Sequence, residues 1–189
     1  MKRSLGAKTF VYPAPVLMVG TYDEYGRANL MAAAWGGVCC SKPPCVSIAL
    51  RKATYTYTNL LTRKAFTLGI PGEDQLREAD YLGIYSGRDE DKLAALGLTA
   101  VKSKRVDAPY AEEFRLVLEC ELRHDLKLGL HTLFVGEILD VMAEDDILAA
   151  DGKPDLAKLK PLVYAPVNRQ YHAWGDRLGK AFSVGMRKD

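Results

Sequence analysis

The residues best suited to chemistry lie in one short run of the chain. It reads Arg-Lys-Ala-Thr-Tyr-Thr-Tyr-Thr-Asn, two cations followed by hydroxyl side chains at alternate positions. A strand is predicted to end at its first residue and a short helix to begin within it, which would direct free backbone N–H groups towards an anion. Guanidinium and hydroxyl donors suit a phosphate, although a Thr that merely caps the helix is equally compatible with the pattern. The candidate ligand-binding residues are Arg51, Lys52, Thr54, Thr56, Thr58 and Asn59.

A second candidate run joins an amide to a series of small residues and ends in an aromatic side chain. Small side chains allow a flat ligand to approach the backbone of a strand, whose N–H and C=O groups could bind the polar edge of a ring system. Small residues that pack a strand against a helix are the alternative interpretation. The candidates here are Asn29, Met31, Ala32, Ala33, Ala34 and Trp35.

Four further candidates are scattered along the chain: Lys92, His131, Tyr164 and Phe182. For His131, a structural role on an apolar strand is the preferred alternative. Nothing in the sequence pairs His131 with a nucleophilic Ser or Cys, so a hydrolytic triad is not supported. The acidic pairs lack the spacing of a calcium loop. We therefore predict a binding site with no catalytic acid or base and no metal.

The four cysteines, Cys39, Cys40, Cys45 and Cys120, match neither a zinc site nor a Cys-x-x-Cys redox pair. The adjacent Cys39 and Cys40 could form a strained disulfide ring. Small buried residues in or beside a strand are the preferred interpretation, because free Cys is commonly buried.

The elements that must position these residues are mostly strands. Residues 114–122 alternate apolar and mostly polar side chains, which predicts a strand with one face in a core and one in water. A pair of glycines at 36–37 is predicted to break the second strand. Strands are predicted at 16–22, 27–35, 45–51, 65–70, 114–122, 131–142 and 162–164, and helices at 75–86 and 89–96.

Strands adjacent in sequence favour an antiparallel sheet closed into a barrel, a mainly β fold with helical insertions. The chain is predicted to form one domain, 1–189, with the barrel at about 10–180 and a helical insertion outside it at about 73–97. No strand is followed by a Gly-x-Gly-x-x-Gly loop, which argues against a dinucleotide-binding sheet.

Composition excludes several classes of partner. The net charge is only +2, from 26 basic and 24 acidic residues, so neither nucleic acid nor a membrane surface is expected. The first residues are too polar for a signal peptide, and no apolar run reaches the length of a membrane span. A reducing cytoplasm is the expected compartment.

The order of these features resembles the flavin reductase-like, FMN-binding split-barrel family. The resemblance extends over about residues 10 to 180 and depends on an ordered set of segments. They are residues 29–35, 41–50, 51–59 and 65–70, the His131-x-x-Phe134-Val135-Gly136-Glu137 segment and the closing Tyr171-x-x-x-Gly175.

The resemblance implies an antiparallel, Greek-key split barrel that holds FMN without a covalent bond. It places the phosphate near Arg51, Thr56, Thr58 and Asn59, and the isoalloxazine ring along residues 32–35 and the loop formed by Cys39, Cys40 and Ser41. It also implies a homodimer with the flavin near the interface, so that Lys92 or Phe182 could come from the partner subunit. Cys39 and Cys40 stand where many members of the family have Ser or Thr, which removes a hydroxyl from this position.

The function implied is electron transfer through FMN, with another redox protein as partner. A cation near the pyrimidine end of the ring, from Lys92, Arg51 or His131, would stabilise the anionic reduced flavin. The alternatives are a flavin reductase that takes hydride from NAD(P)H and, from another class, a non-catalytic flavin-binding or sensing module. A pyridoxamine oxidase-like enzyme would need a second basic pocket, for which only residues 102–105 are available.

Overall fold

In the computed structural model, residues 1–186 are described, and the last three residues of the predicted domain lie outside them. Twelve strands and four α-helices are present in this part of the chain. The strands are β1 (Ala14–Pro15), β2 (Leu17–Tyr22), β3 (Ala28–Ala33), β4 (Gly36–Ser41), β5 (Pro44–Arg51), β6 (Ala65–Gly69), β7 (Ala100–Lys102), β8 (Pro109–Ala111), β9 (Leu116–Leu128), β10 (His131–Ala143), β11 (Val163–Ala165) and β12 (Gln170–His172). The helices are α1 (Tyr55–Arg63), α2 (Leu76–Ile84), α3 (Lys92–Leu96) and α4 (Leu156–Leu159).

The main sheet has seven strands in the order β3-β2-β6-β9-β10-β5-β4, and every neighbouring pair is antiparallel. Three of these pairs are hairpins of consecutive strands, and long-range pairings join the hairpins to one another. Two small sheets, β1-β11-β12 and β7-β8, complete the β structure. The predicted mainly β, antiparallel fold with a few helices is confirmed.

Two apolar clusters form the core. One fills the space around Phe66 and Phe134, both fully buried. The second lies between β2, β3 and helix α2, where Ala79 and Leu82 are fully buried. Burying one such Leu side chain stabilises the fold by roughly 1.5–3 kcal/mol. Because α2 packs on β3 through this cluster, the end of the helix is held beside the strand that carries the second candidate run.

The face of β9 that was predicted to lie in water is partly buried. Glu119 was expected to face water, yet it is fully buried. Its carboxylate accepts hydrogen bonds from the backbone N–H groups of Lys104 and Arg105, at 3.1 and 2.7 Å. The prediction was wrong because a segment distant in sequence covers this face of the strand.

The two glycines at 36–37 do not break a strand, as was expected, but begin β4. A Cβ at Gly36 would lie 2.6 Å from the carbonyl oxygen of Ser47, so glycine is needed here for close approach to β5. Cys39 and Cys40, expected to be buried, are exposed because β4 is the last strand of the sheet order. Within residues 1–186, no helix is long and apolar enough to span a membrane.

Candidate functional site

The start of helix α1 leaves backbone donors without a side-chain acceptor. Thr54 occupies the N-cap position, but its hydroxyl donates to the carbonyl oxygen of Arg51 at 2.9 Å and makes no capping hydrogen bond. The interpretation of a Thr hydroxyl in this run as the cap of the helix is therefore wrong. The N–H groups of the first turn remain available to an anion, as the interpretation of this run as a phosphate site required.

A cavity of about 270 Å³ opens at this helix start. We call it the Arg51 cavity. One wall comes from β3, a second from the segment between β5 and α1, and the third from the end of α2 and the loop that follows it. Its lining includes six predicted residues: Asn29, Met31, Arg51, Thr54, Thr56 and Lys92.

The polar contact at the base of this cavity joins Asn29 to Thr56. The Asn29 Nδ2 donates to Thr56 Oγ1 at 3.0 Å, and both residues are buried. Because Thr56 Oγ1 accepts this bond, its own hydrogen can be donated elsewhere. Asn29 Oδ1 is buried and has no hydrogen-bond partner. A ligand with a hydroxyl or N–H group would satisfy this oxygen, whose isolation otherwise costs about 1–3 kcal/mol.

Gly87 allows the wall formed by the loop after α2 to approach Asn29 closely. A Cβ at this position would lie 2.1 Å from Asn29 Oδ1 and 3.1 Å from Tyr55 Cδ1. Any other residue would displace the wall or the amide, so the width of the cavity at this point depends on the glycine.

Lys92 supplies a buried positive charge. Its Nζ donates to the carbonyl oxygens of Leu82, at 3.2 Å, and Tyr85, at 3.1 Å, which close the end of α2. Burial lowers the pKa of Lys92 to about 8, and the nearby Glu90 carboxylate opposes the shift. An ammonium group has three N–H donors, so one remains for an anion in the cavity. Lys92 thus lines the Arg51 cavity of its own chain.

A second cavity, of about 250 Å³, adjoins the first and is called here the Tyr164 cavity. The two share Gly83 and Ile84 at the end of α2. Its lining is largely small or aromatic and includes the predicted Ala32, Ala33, Ala34 and Tyr164. The ring of Tyr171 lies 5.3 Å from that of Tyr164. This cavity suits a flat, largely apolar group.

Trp35 lies against His131, the first residue of β10. Their ring centroids are 4.7 Å apart, and His131 pairs with Arg51 across the strands. Trp35 also lines a separate cavity of about 580 Å³, which extends towards Val11 and Leu133. The structure therefore brings His131 to the neighbourhood of Arg51 without placing it in either of the two cavities along β3.

The remaining predicted residues line none of these cavities. Asn59 is buried, and its Nδ2 donates to Thr21 Oγ1 at 3.3 Å, which is a contact within the core. Phe182 is fully exposed. The others are exposed on α1, after β5 or on the edge strand: Thr58, Lys52, Cys39, Cys40 and Ser41.

A buried carboxylate fixes the helix that forms the site. Asp23 lies in the turn between β2 and β3, and its carboxylate accepts from Tyr55 OH at 2.8 Å and Arg27 Nε at 2.7 Å. Its backbone carbonyl accepts from Arg63, at the other end of α1. Burial by itself would raise the pKa of Asp23, but the hydrogen bonds from Arg27, Tyr55 and Tyr25 outweigh it and lower that pKa.

Residues 9–175 match a family model described as the flavin reductase like domain. The chain belongs to this family.

Solved structures of similar proteins agree with the family assignment. Flavoredoxin of Desulfovibrio vulgaris (Miyazaki F) is 53% identical, with a TM-score of 0.94, and the match covers 98% of this chain and 100% of that one. Flavoredoxin from Methanosarcina acetivorans is 30% identical, with a TM-score of 0.91, covering 98% and 97%.

A third structure bears on the fold alone. It is a putative flavin reductase with a split barrel domain from Shewanella frigidimarina, 24% identical, with a TM-score of 0.79, covering 88% of this chain and 84% of that one. The predicted split β-barrel is therefore confirmed.

The two cavities along β3 include residues that sequence reasoning missed. They lie at the end of α2 and in the loop after it, at the start of α1, and on β12: Gly83, Ile84, Tyr85, Ser86, Gly87, Ala53, Tyr55 and Tyr171. The sequence Ser86-Gly87 was interpreted only as the end of a helix, in an insertion outside the barrel. Its role as a wall depends on α2 packing against β3, which no local pattern reveals.

We expect Asp23→Asn to reduce the free energy of unfolding by about 1.5–3 kcal/mol at pH 7, because Nδ2 cannot accept from Tyr55 or Arg27. The lowered pKa means that this stabilisation is present above the unfolded-state pKa of about 3.9 and is lost as the pH falls through the folded-state value. Urea unfolding of both proteins between neutral and acidic pH measures the difference, which should be steady down to about pH 5 and shrink below about pH 4.

Glu24→Gln is the matched control, since Glu24 is the exposed neighbour in the same turn and should change stability little. A difference between wild type and Asp23→Asn that stays constant into strong acid would contradict this account of the carboxylate.

Proposed function

We propose that this protein binds FMN without a covalent bond along β3 and passes electrons through it, as an electron-transfer protein of the flavoredoxin type. The observation that carries the proposal is the pair of adjoining cavities. One is lined by cations and hydroxyl groups and the other by small and aromatic side chains. FMN has the matching form, with a phosphate at one end and a flat ring at the other.

The residues present fit this cofactor. Arg51, Thr56 and Lys92, together with the N–H groups at the start of α1, are the donors for a phosphate dianion. The unpartnered Asn29 Oδ1 is an acceptor for a hydroxyl of the ribityl chain. The small residues 32–34 and Tyr164 would hold the ring.

When bound, FMN supplies the redox chemistry, and the protein contributes binding, orientation and electrostatics. The positive charges of Arg51 and Lys92 attract the phosphate, and the wall at the end of α2 excludes water from one side of the groove. No acid or base of the protein is needed for electron transfer. The similarity of the chain to two flavoredoxins supports this type of function over a storage or sensing module.

The identity of the phosphate site is tested by two substitutions on the same helix. Thr56→Val should weaken FMN binding by about 1.5–3 kcal/mol, because it removes a hydrogen bond to a charged group. Thr58→Val, on the exposed side of α1, should change binding by less than about 0.5 kcal/mol. Flavin fluorescence titration of the apoproteins measures both affinities, and Arg51→Ala should show a loss similar to that of Thr56→Val.

Urea unfolding of each variant separates lost binding from lost stability, since Thr56 also accepts from Asn29. Equal FMN affinities for the two Val variants would show that the phosphate lies elsewhere. A purified protein that is colourless and takes up no FMN would contradict flavin binding altogether.

The electron donor distinguishes the two oxidoreductase functions. We expect oxidised holoprotein mixed with NADH or NADPH in a stopped-flow instrument to show no fast bleaching of the flavin, because the donor is another redox protein. Dithionite serves as the positive control for reduction. Fast bleaching by either nicotinamide would favour the NAD(P)H-dependent flavin reductase instead.

We also propose a homodimer, as the family resemblance implies. The hairpin formed by β9 and β10 ends in three leucines, Leu126, Leu128 and Leu130, each more than half exposed. An apolar tip of this kind suits contact with a second copy of the chain. The cytoplasmic location remains a prediction from the sequence.

Sedimentation velocity should give a dimer for the wild type and a monomer for Leu128→Asp, because a charge at the apolar tip would oppose association. Lys127→Asp places the same charge on the adjacent exposed residue, whose side chain alternates to the other face, and should leave the dimer intact. A monomeric wild-type protein would contradict the proposal.

A further inference from the structure

Two cysteines face each other across the hairpin formed by β4 and β5. The register pairs Cys40 with Cys45, one step from the end of the hairpin, where Ser41 pairs with Pro44. The sequence had suggested only the adjacent Cys39 and Cys40 as a possible disulfide. The structure therefore selects a different pair, separated by four residues along the chain.

The positions of these two residues suit a disulfide. Directly opposed residues of antiparallel strands have Cα atoms about 4.5–5.5 Å apart and side chains on the same face of the sheet. Disulfides bridge Cα separations of about 4.4–6.8 Å. The register shift of β4 falls between Val38 and Cys40, so Cys39 is the residue without a partner and the Cys40–Cys45 pairing is retained.

The two thiols differ in environment. Cys40 is exposed on the edge strand, whereas Cys45 is only 6% exposed. Burial raises the pKa of the Cys45 thiol, and the neighbouring thiols of Cys40 and Cys39 add to this effect. Of these two thiols, only that of Cys40 is readily accessible to a reagent in solution, and Cys45 is the buried second thiol of the pair.

We propose that Cys40 and Cys45 form a thiol–disulfide exchange site whose substrate is a low-molecular-weight disulfide such as oxidised glutathione. The Cys40 thiolate attacks one sulfur of the substrate, so that a mixed disulfide forms and one thiolate leaves. The Cys45 thiolate then attacks the Cys40 sulfur and displaces the second thiolate. The two protons from the protein thiols go to the two leaving groups, so the protein loses two electrons and the substrate gains them.

This site is separate from the proposed flavin site, because neither cysteine lines either of the two cavities along β3. Its oxidised form would join the edge strand β4 covalently to β5. The inference therefore holds or fails independently of FMN binding.

The test uses the full-length, fully reduced protein, incubated without oxygen with oxidised glutathione. We expect a mass decrease of two hydrogens per chain and the loss of two of the four titratable thiols. Reduction with dithiothreitol should restore both. A wild-type protein that gains only glutathione adducts, without an internal disulfide, would overturn the proposal.

Three variants identify the pair. Cys39→Ser is the matched control and should still form the internal disulfide. Cys45→Ser should stop at the mixed disulfide, with the added mass of one glutathionyl group on Cys40, and Cys45→Ala serves as a second version should the first fold poorly. An internal disulfide that persists in both Cys45 variants would assign the bond to Cys39 and Cys40 and reject the proposed site.

Discussion

Asp23 joins the turn between β2 and β3 to both ends of helix α1, through its buried carboxylate at one end and its backbone carbonyl at the other. It binds the first residue of the helix through the Tyr55 hydroxyl, and its backbone carbonyl binds the last residue, Arg63. These contacts place the start of α1 beside β3, where Thr56 of the helix and Asn29 of the strand line the same cavity. The arrangement of the polar half of the site thus depends on Asp23, a residue of the turn that does not belong to the Arg51 cavity.

Much of the fold could be predicted because its information is local. Alternation along β9 predicts a strand by its period, and the apolar runs of β2, β5 and β6 predict strands by their length and by the turn residues at their ends. Gly36 shows the limit of such reasoning. Its sequence context resembles a break, yet the residue is glycine because β5 passes too close for a side chain. The prediction that Glu119 faces water fails for the same kind of reason, since the backbone that buries this residue comes from another part of the chain.

The candidate site likewise contains residues that could be predicted from local sequence and residues that could not. The donors between Arg51 and Thr56 could be predicted because they are adjacent in sequence and lie at a strand-to-helix junction. The wall of Gly83 and Gly87 could not, because its position comes from α2 packing on β3 across the core. Thr58 and Asn59 share the composition of the true cavity residues, but the turn of the helix directs one to solvent and the other to Thr21.

The wall at the end of α2 has a consequence for how this protein family can diversify. The strands that set the barrel and the helix that presents the anion donors contribute one side of the groove, and the segment 83–87 contributes the other. None of the residues 83–87 takes part in a strand pairing, so an exchange in that segment would alter the groove without removing a hydrogen bond of the sheet. Selection for a different ligand could therefore act on a few residues of one connection, while the core of the barrel stays as it is.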